Sequence, residues 1–140
     1  MKSFIARVAL AATAIIAAGA VLVSTAVASS ESSTSPSGAF TVSVSYPDVI
    51  VAGTTATATE SVTNSSSATE TLTLTNTLVG SNGTTYTQTQ VVTLAPGDTL
   101  TQSFSTKVTR KDVGSYTLTF TATDGTESAT ATATSTVVKK

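Results

Sequence analysis

The 140-residue chain has no cysteine, no histidine and no tryptophan. Without cysteine it can form no disulfide, the staple many small exported domains rely on. Without histidine a nucleophilic triad lacks its usual base, and a zinc site lacks its common imidazole and thiolate ligands. Charge is sparse: Lys, Arg, Asp and Glu make up 11% of the chain, with a net charge of −1. No basic stripe of the kind that nucleic-acid binding needs is present. The aromatics are three Tyr and four Phe, and most fall at core-facing positions, which leaves few rings for stacking on sugars. The acids stand singly among turns rather than in the pairs that glycosidases use. Gly80-Ser81-Asn82-Gly83 lacks the Lys and following helix of a phosphate loop. Composition therefore points away from an enzyme and assigns no catalytic residue, metal or cofactor.

What the chain does contain falls into two unlike parts. Lys2 and Arg7 precede an apolar stretch from Val8 to Val27, and no acid occurs before Glu31. Ala26-Val27-Ala28 supplies the small residues that a signal peptidase reads. Residues 1–28 are expected to be a secretory signal peptide forming an apolar N-terminal helix, with cleavage between Ala28 and Ser29. Retained instead, the run is long enough to anchor the chain in a membrane at about 1.5 Å rise per residue. The layout is also similar to that of archaeal type IV pilins, although Arg7-Val8 departs from the basic-plus-small pair that ends their leader. Residues 29–39 are Ser-rich, lack apolar periodicity and read as a flexible linker. Beyond residue 28 there are five Lys and Arg against eight Asp and Glu.

From Phe40 a period of two dominates. Phe40, Val42, Val44 and Tyr46 predict a first strand, stopped at Pro47-Asp48. Ala56, Ala58 and Val62 predict a second, and Leu72, Leu74 and Leu78 a third. Gly80-Ser81-Asn82-Gly83 is a hairpin signal. In the fourth strand Tyr86, Val92 and Leu94 share a face with Gln88 and Gln90, which places it at an edge or makes it change face at a bulge. Ala95-Pro96-Gly97-Asp98 is a turn with Pro pre-set at its second position. Leu100, Phe104 and Val108 mark the fifth strand. Tyr116, Leu118, Phe120 and Ala122 mark the sixth, and Ala129, Ala131, Ala133 and Val137 the seventh. The expected fold is all-β: a single seven-stranded antiparallel Ig-like Greek-key sandwich over residues 40–138, with a thin, Ala-rich core.

Val62-Thr63-Asn64, Leu94-Ala95-Pro96-Gly97, Phe104 and Gly114-Ser115-Tyr116 form a spaced set. It resembles the immunoglobulin-like, fibronectin III-like domains called CARDB, found in exported microbial adhesion proteins. The resemblance spans roughly residues 42–123 and implies an Ig-like sandwich that serves as a module of a larger surface protein. Independently of it, Tyr116 offers a ring to the core and a hydroxyl to a corner hydrogen bond.

Asn64-Ser65-Ser66 and Asn82-Gly83-Thr84 match the N-glycosylation pattern, and turn chemistry accounts equally for both Asn residues. Asp124-Gly125-Thr126-Glu127 reads as a solvated turn rather than a calcium loop, since calcium takes roughly six to eight oxygens. The Thr-x-Thr arrays at 55–59, 71–77, 117–123 and 130–136 resemble those of some ice-binding proteins, and the high β propensity of Thr explains them as well. The expected function is a non-catalytic structural or adhesion module, secreted or at the cell surface. The alternative is a subunit of an extracellular filament, assembled by β-strand exchange or in a pilin-like way. An ice- or carbohydrate-binding protein is the lesser alternative. The expected partners are other cell-surface proteins or copies of the chain itself. Nucleic acid is not expected, and a membrane only if the leader stays as an anchor.

Overall fold

Alternation of apolar and hydroxyl side chains determines which face of each strand turns inward, and the result is two stacked sheets. The computed structural model describes residues 12–17, 28–81, 83 and 85–140. The strands are β1 (Ala12–Ala17), β2 (Ala28–Thr34), β3 (Phe40–Pro47), β4 (Val49–Val51), β5 (Thr55–Asn64) and β6 (Glu70–Gly80). They continue with β7 (Thr85–Leu94), β8 (Thr99–Lys107), β9 (Gly114–Thr123) and β10 (Ser128–Val138), and a 3-10 turn spans Arg110–Asp112. One sheet has the order β1-β8-β5-β3-β2 and the other β4-β10-β9-β6-β7. The described residues contain no α-helix.

The inner faces follow the expected parity. Phe40, Val42, Val62, Leu72, Leu74, Leu94 and Phe120 are at most 1% exposed. Ala56 and Ala58 of β5 and Ala129, Ala131 and Ala133 of β10 belong to the same core. These short side chains each remove far less area from water than Leu does, at about 25 cal/mol per Å², so the large residues of β3, β6 and β9 carry most of the apolar burial.

Turn residues close the sheets where they were expected. Gly97 has φ 80°, and Asp98 N–H donates to Ala95 C=O at 3.0 Å. Pro followed by a Gly at positive φ makes this a type II turn. The β6–β7 hairpin is uninterrupted in register from Glu70↔Leu94 to Val79↔Thr85. β7 is therefore an edge strand without a bulge.

Three features depart from the expected seven-stranded antiparallel sandwich. First, Val49–Val51 is a short strand that pairs in parallel with Thr136–Val138 of β10. Three residues are too few to show a period.

Second, within the segment expected to be an apolar helix, Ala12–Ala17 is a strand antiparallel to β8, from Ala12↔Phe104 to Ala17↔Thr99. Its β-branched Thr13, Ile15 and Ile16 favour extended backbone, and the edge of β8 offers unpaired N–H and C=O groups. Residues 1–11 and 18–27 of the expected signal peptide lie outside the described residues.

Third, most of the stretch expected to be a flexible linker is β2, paired with β3 from Ala28↔Pro47 to Thr34↔Thr41. A Ser-rich strand carries no apolar signal, and this one is held by backbone and hydroxyl bonds instead. Glu31 Oε2 accepts the Thr132 N–H at 2.7 Å, and Ser29 Oγ accepts that of Thr134 at 3.3 Å. These bonds satisfy donors of β10 that β4 is too short to reach, and they close one side of the sandwich. Among the described residues no helix is long and apolar enough to cross a membrane.

Candidate functional site

The least expected feature of the interior is a carboxyl group. Glu60 occupies an inward position of β5 between Ala58 and Val62 and is 1% exposed. Asn76 of β6 is also buried and inward, between Leu74 and Leu78. Both line a cavity of about 20 Å³ together with Tyr46, Tyr86, Gln88 and Thr106. That volume admits about one water molecule and is far below the roughly 300–1,000 Å³ of a small-molecule pocket.

Neither Glu60 oxygen has a hydrogen-bond partner among the described residues, and neither has Asn76 Oδ1. Burial pushes the Glu60 pKa from its ordinary 4.5 up to about 8, and the nearby Asn76 amide offsets this only in part. The amide is close enough to act on the carboxyl electrostatically, but it is not aligned into a hydrogen bond. At neutral pH the group is mostly protonated, which reduces the penalty of its burial. Tyr46 is likewise pushed up by burial and secondarily by Tyr116.

Glu60 and Asn76 are not among the candidates read from sequence, although strand parity carried the signal: each sits at the apolar phase of its strand. Gln102, buried between Leu100 and Phe104 on β8, follows the same pattern.

Of the two candidate glycosylation sites, Asn64 is 0% exposed. Its Nδ2 donates to Ala68 C=O at 2.8 Å and to Leu94 C=O at 2.9 Å, and its Oδ1 accepts the Ser66 N–H at 2.9 Å. Its backbone joins the β7–β8 turn, donating to Asp98 C=O and accepting from Gly97 N–H, both at 2.9 Å. In the folded domain this side chain pins a loop and is not offered to solvent, so turn chemistry is the reading the geometry carries. Asn82 lies outside the described residues. At the expected cleavage site, Ala28 and Ser29 begin β2, opposite Pro47 and Tyr46.

The remaining singled-out residues are fold devices. Tyr116 Oη donates to Asp112 C=O at 2.8 Å. Asp112 Oδ2 in turn accepts the Thr109 N–H at 2.7 Å and its hydroxyl at 2.6 Å. Asp124 Oδ1 accepts the N–H groups of Thr126 and Glu127, each at 2.7 Å. Glu127 Oε2 accepts the Ser37 hydroxyl at 2.6 Å and its N–H at 3.1 Å. These bonds hold the exposed Asp124 and Glu127 carboxyls below their ordinary range. Among the described residues no three His, Cys, Asp or Glu side chains gather as a metal site would require.

The Thr-x-Thr arrays come together on the outer face of the β10-β9-β6-β7 sheet. Strand register aligns Thr89, Thr75, Thr121 and Thr130 in one row and Thr87, Thr77, Thr119 and Thr132 in the next. Hydroxyl pairs tie neighbouring strands, as at Thr121–Thr130 (2.9 Å) and Thr71–Thr93 (3.2 Å). Adjacent strands turn by roughly −20 to −25°, so the face is a twisted hydroxyl surface rather than a flat lattice. None of these aligned positions is charged.

No family model matches the sequence, and no curated protein matches it. Solved structures do share the fold. A CARDB domain from Pyrococcus furiosus, solved in complex with di-metal ions, superposes with a TM-score of 0.53 at 19% identity, over 80% of this chain and 96% of that one. A family 123 glycoside hydrolase from Clostridium perfringens matches with a TM-score of 0.50 at 12% identity, over 66% of this chain but 22% of its own. A Bacteroides uniformis β-glucuronidase matches with a TM-score of 0.49 at 23% identity, over 66% of this chain and 12% of its own. The chain thus spans a small part of the family 123 glycoside hydrolase and nearly all of the CARDB domain. Its fold is that of an immunoglobulin-like β-sandwich, and within that class it is CARDB-like.

Proposed function

We propose that the chain is an exported, non-catalytic structural or adhesion module displayed at or beyond the cell surface. The single observation that carries this reading is the match of nearly a whole CARDB domain to this chain, whereas the enzymes share only a fragment of theirs. Three other features support it. The basic-then-apolar leader ends in Ala26-Val27-Ala28. The cavity has about the volume of one water. The outer face of the β10-β9-β6-β7 sheet is lined by Thr hydroxyls rather than charges.

The test is to label the intact cell with a membrane-impermeant amine reagent, which the surface-exposed Lys107 and Lys111 would take up. Labelling without cell lysis supports display. Labelling only after lysis opposes it.

A second reading is favoured by one observation. The edge of β8 accepts the six-residue strand Ala12–Ala17. Cleavage after Ala28 would remove that strand and free the edge, as subunits of filaments built by strand exchange require. Negative-stain imaging of the chain beginning at Ser29 separates this from a module that stays discrete: fibres favour it, and isolated particles at high concentration count against it.

A further inference from the structure

We propose that β7 is a homodimerisation edge, pairing antiparallel with β7 of a second copy about a two-fold axis through Thr89. This goes beyond the surface-module reading and does not depend on where the protein resides.

Natural sheets protect their edges with shortness, charge, proline or a cover. Two of the other outer strands, β4 and β2, use such means. β4 is three residues long, and the flank where β2 meets β10 is closed by Glu31 and Ser29. β7 uses none of them. It is ten residues long, has neither charge nor proline, and among the described residues pairs only with β6. Every second residue of such a strand directs its N–H and C=O outward, ready for a partner.

The side chains also fit this arrangement. Tyr86, Gln88, Gln90 and Val92 face inward but remain half-exposed, and Val91 on the outer face is 67% exposed. A second copy is the occupant that the sequence itself matches. An antiparallel register that keeps inward residues opposite inward ones and centres on Thr89 sets Tyr86 against the partner's Val92 and Gln88 against the partner's Gln90. On the outer face it sets Thr87 against the partner's Val91. Aromatic rings pair well with β-branched side chains across strands, and two amides can bond one another. Centring one residue later would oppose Gln88 to Val92 and Tyr86 to the already buried Leu94. No like charges meet in the favoured register, and the closed two-fold contact joins two five-stranded sheets into one.

A chain without cysteine allows a clean test by single thiols in the full-length protein. Directly opposed residues have Cβ atoms about 4.5–5.5 Å apart, within reach of a disulfide after small adjustment. T89C should cross-link to a covalent dimer under mild oxidation at least tenfold faster than T75C, which lies one strand inward. Mixed T87C and V91C chains should cross-link to each other faster than either does to itself. T89K places like charges on the axis and should raise the dimer dissociation constant at least tenfold in sedimentation, with T75K leaving it unchanged. Circular dichroism identical to the parent chain confirms that each variant folds. A parent chain that stays monomeric at millimolar concentration overturns the dimer, as does equal cross-linking of T89C and T75C. Cross-linking of T89C without the mixed T87C–V91C product overturns the register.

Discussion

Raising the pH from 5 to 8 should destabilise this protein, and Glu60 is the cause. Its pKa rises from 4.5 to about 8 on folding, so the native state binds this proton more tightly than the unfolded state. The contribution is fully present below pH 4.5 and is lost as the pH climbs through 8. Within that window each pH unit costs about 1.4 kcal/mol. Between pH 5 and 7 the loss is roughly 2–3 kcal/mol, a large share of the roughly 5–15 kcal/mol that holds a domain of this size together. At roughly 4–8 °C per kcal/mol the midpoint should fall by roughly 10–20 °C. The window is unusually clean. The chain has no histidine, and Asp124 and Glu127 are held to the acid side of their ordinary range. Urea unfolding followed by far-UV circular dichroism at pH 5, 6, 7 and 8 reads the slope directly. Glu60→Gln keeps the shape and removes the charge, so its stability should be nearly flat across this range and exceed that of the parent at pH 8. Equal parent stability at pH 5 and 8, or a parent-like slope in Glu60→Gln, would refute the reasoning.

Other side chains give sharper local tests. Tyr116→Phe removes the hydroxyl bond to Asp112 C=O and should cost about 1 kcal/mol in equilibrium unfolding. Asn64→Ala leaves the buried carbonyl of Leu94 without its donor and frees the Ser66 loop; a loss of about 2–3 kcal/mol is expected, together with faster amide exchange at Ser66. Gly114→Ala adds a Cβ at φ 147°, with Ser81 Oγ only 2.5 Å away. It should destabilise by about 1–3 kcal/mol, and Ser81→Ala in the same chain should recover part of that.

The fold was largely legible because Thr and Ser alternate with apolar residues from Phe40 onward, and a period of two tells strand from helix and inside from outside. The same parity placed Tyr116 in the core with its hydroxyl at a corner, and Gln88 and Gln90 marked β7 as an edge. Three strands were not legible, each for a different reason. β4 is too short to show a period. β2 alternates hydroxyls with hydroxyls and Glu31, so no apolar contrast exists; its order comes from ladder bonds to β3 and side-chain bonds to β10. β1 lies inside a continuous apolar run, where periodicity cannot separate strand from helix and only the open edge of β8 decides. Glu60 was readable but passed over. Its position matched the apolar phase of β5, and a carboxyl there looks like an interruption until the opposing Asn76 and the small cavity show that it is enclosed. Asn64 shows the opposite limit. Its sequence pattern fits both a glycan acceptor and a turn, and the burial that decides between them comes from Leu94, thirty residues away in the chain.

The central claim is that this CARDB-like sandwich is exported and works outside the cytoplasm. The most direct test is N-terminal sequencing with intact-mass measurement of the native protein from separated cell fractions. The account predicts a chain that begins at Ser29 and is recovered from the surface or extracellular fraction. A chain that begins at Met1 and is recovered from the cytosol would contradict it.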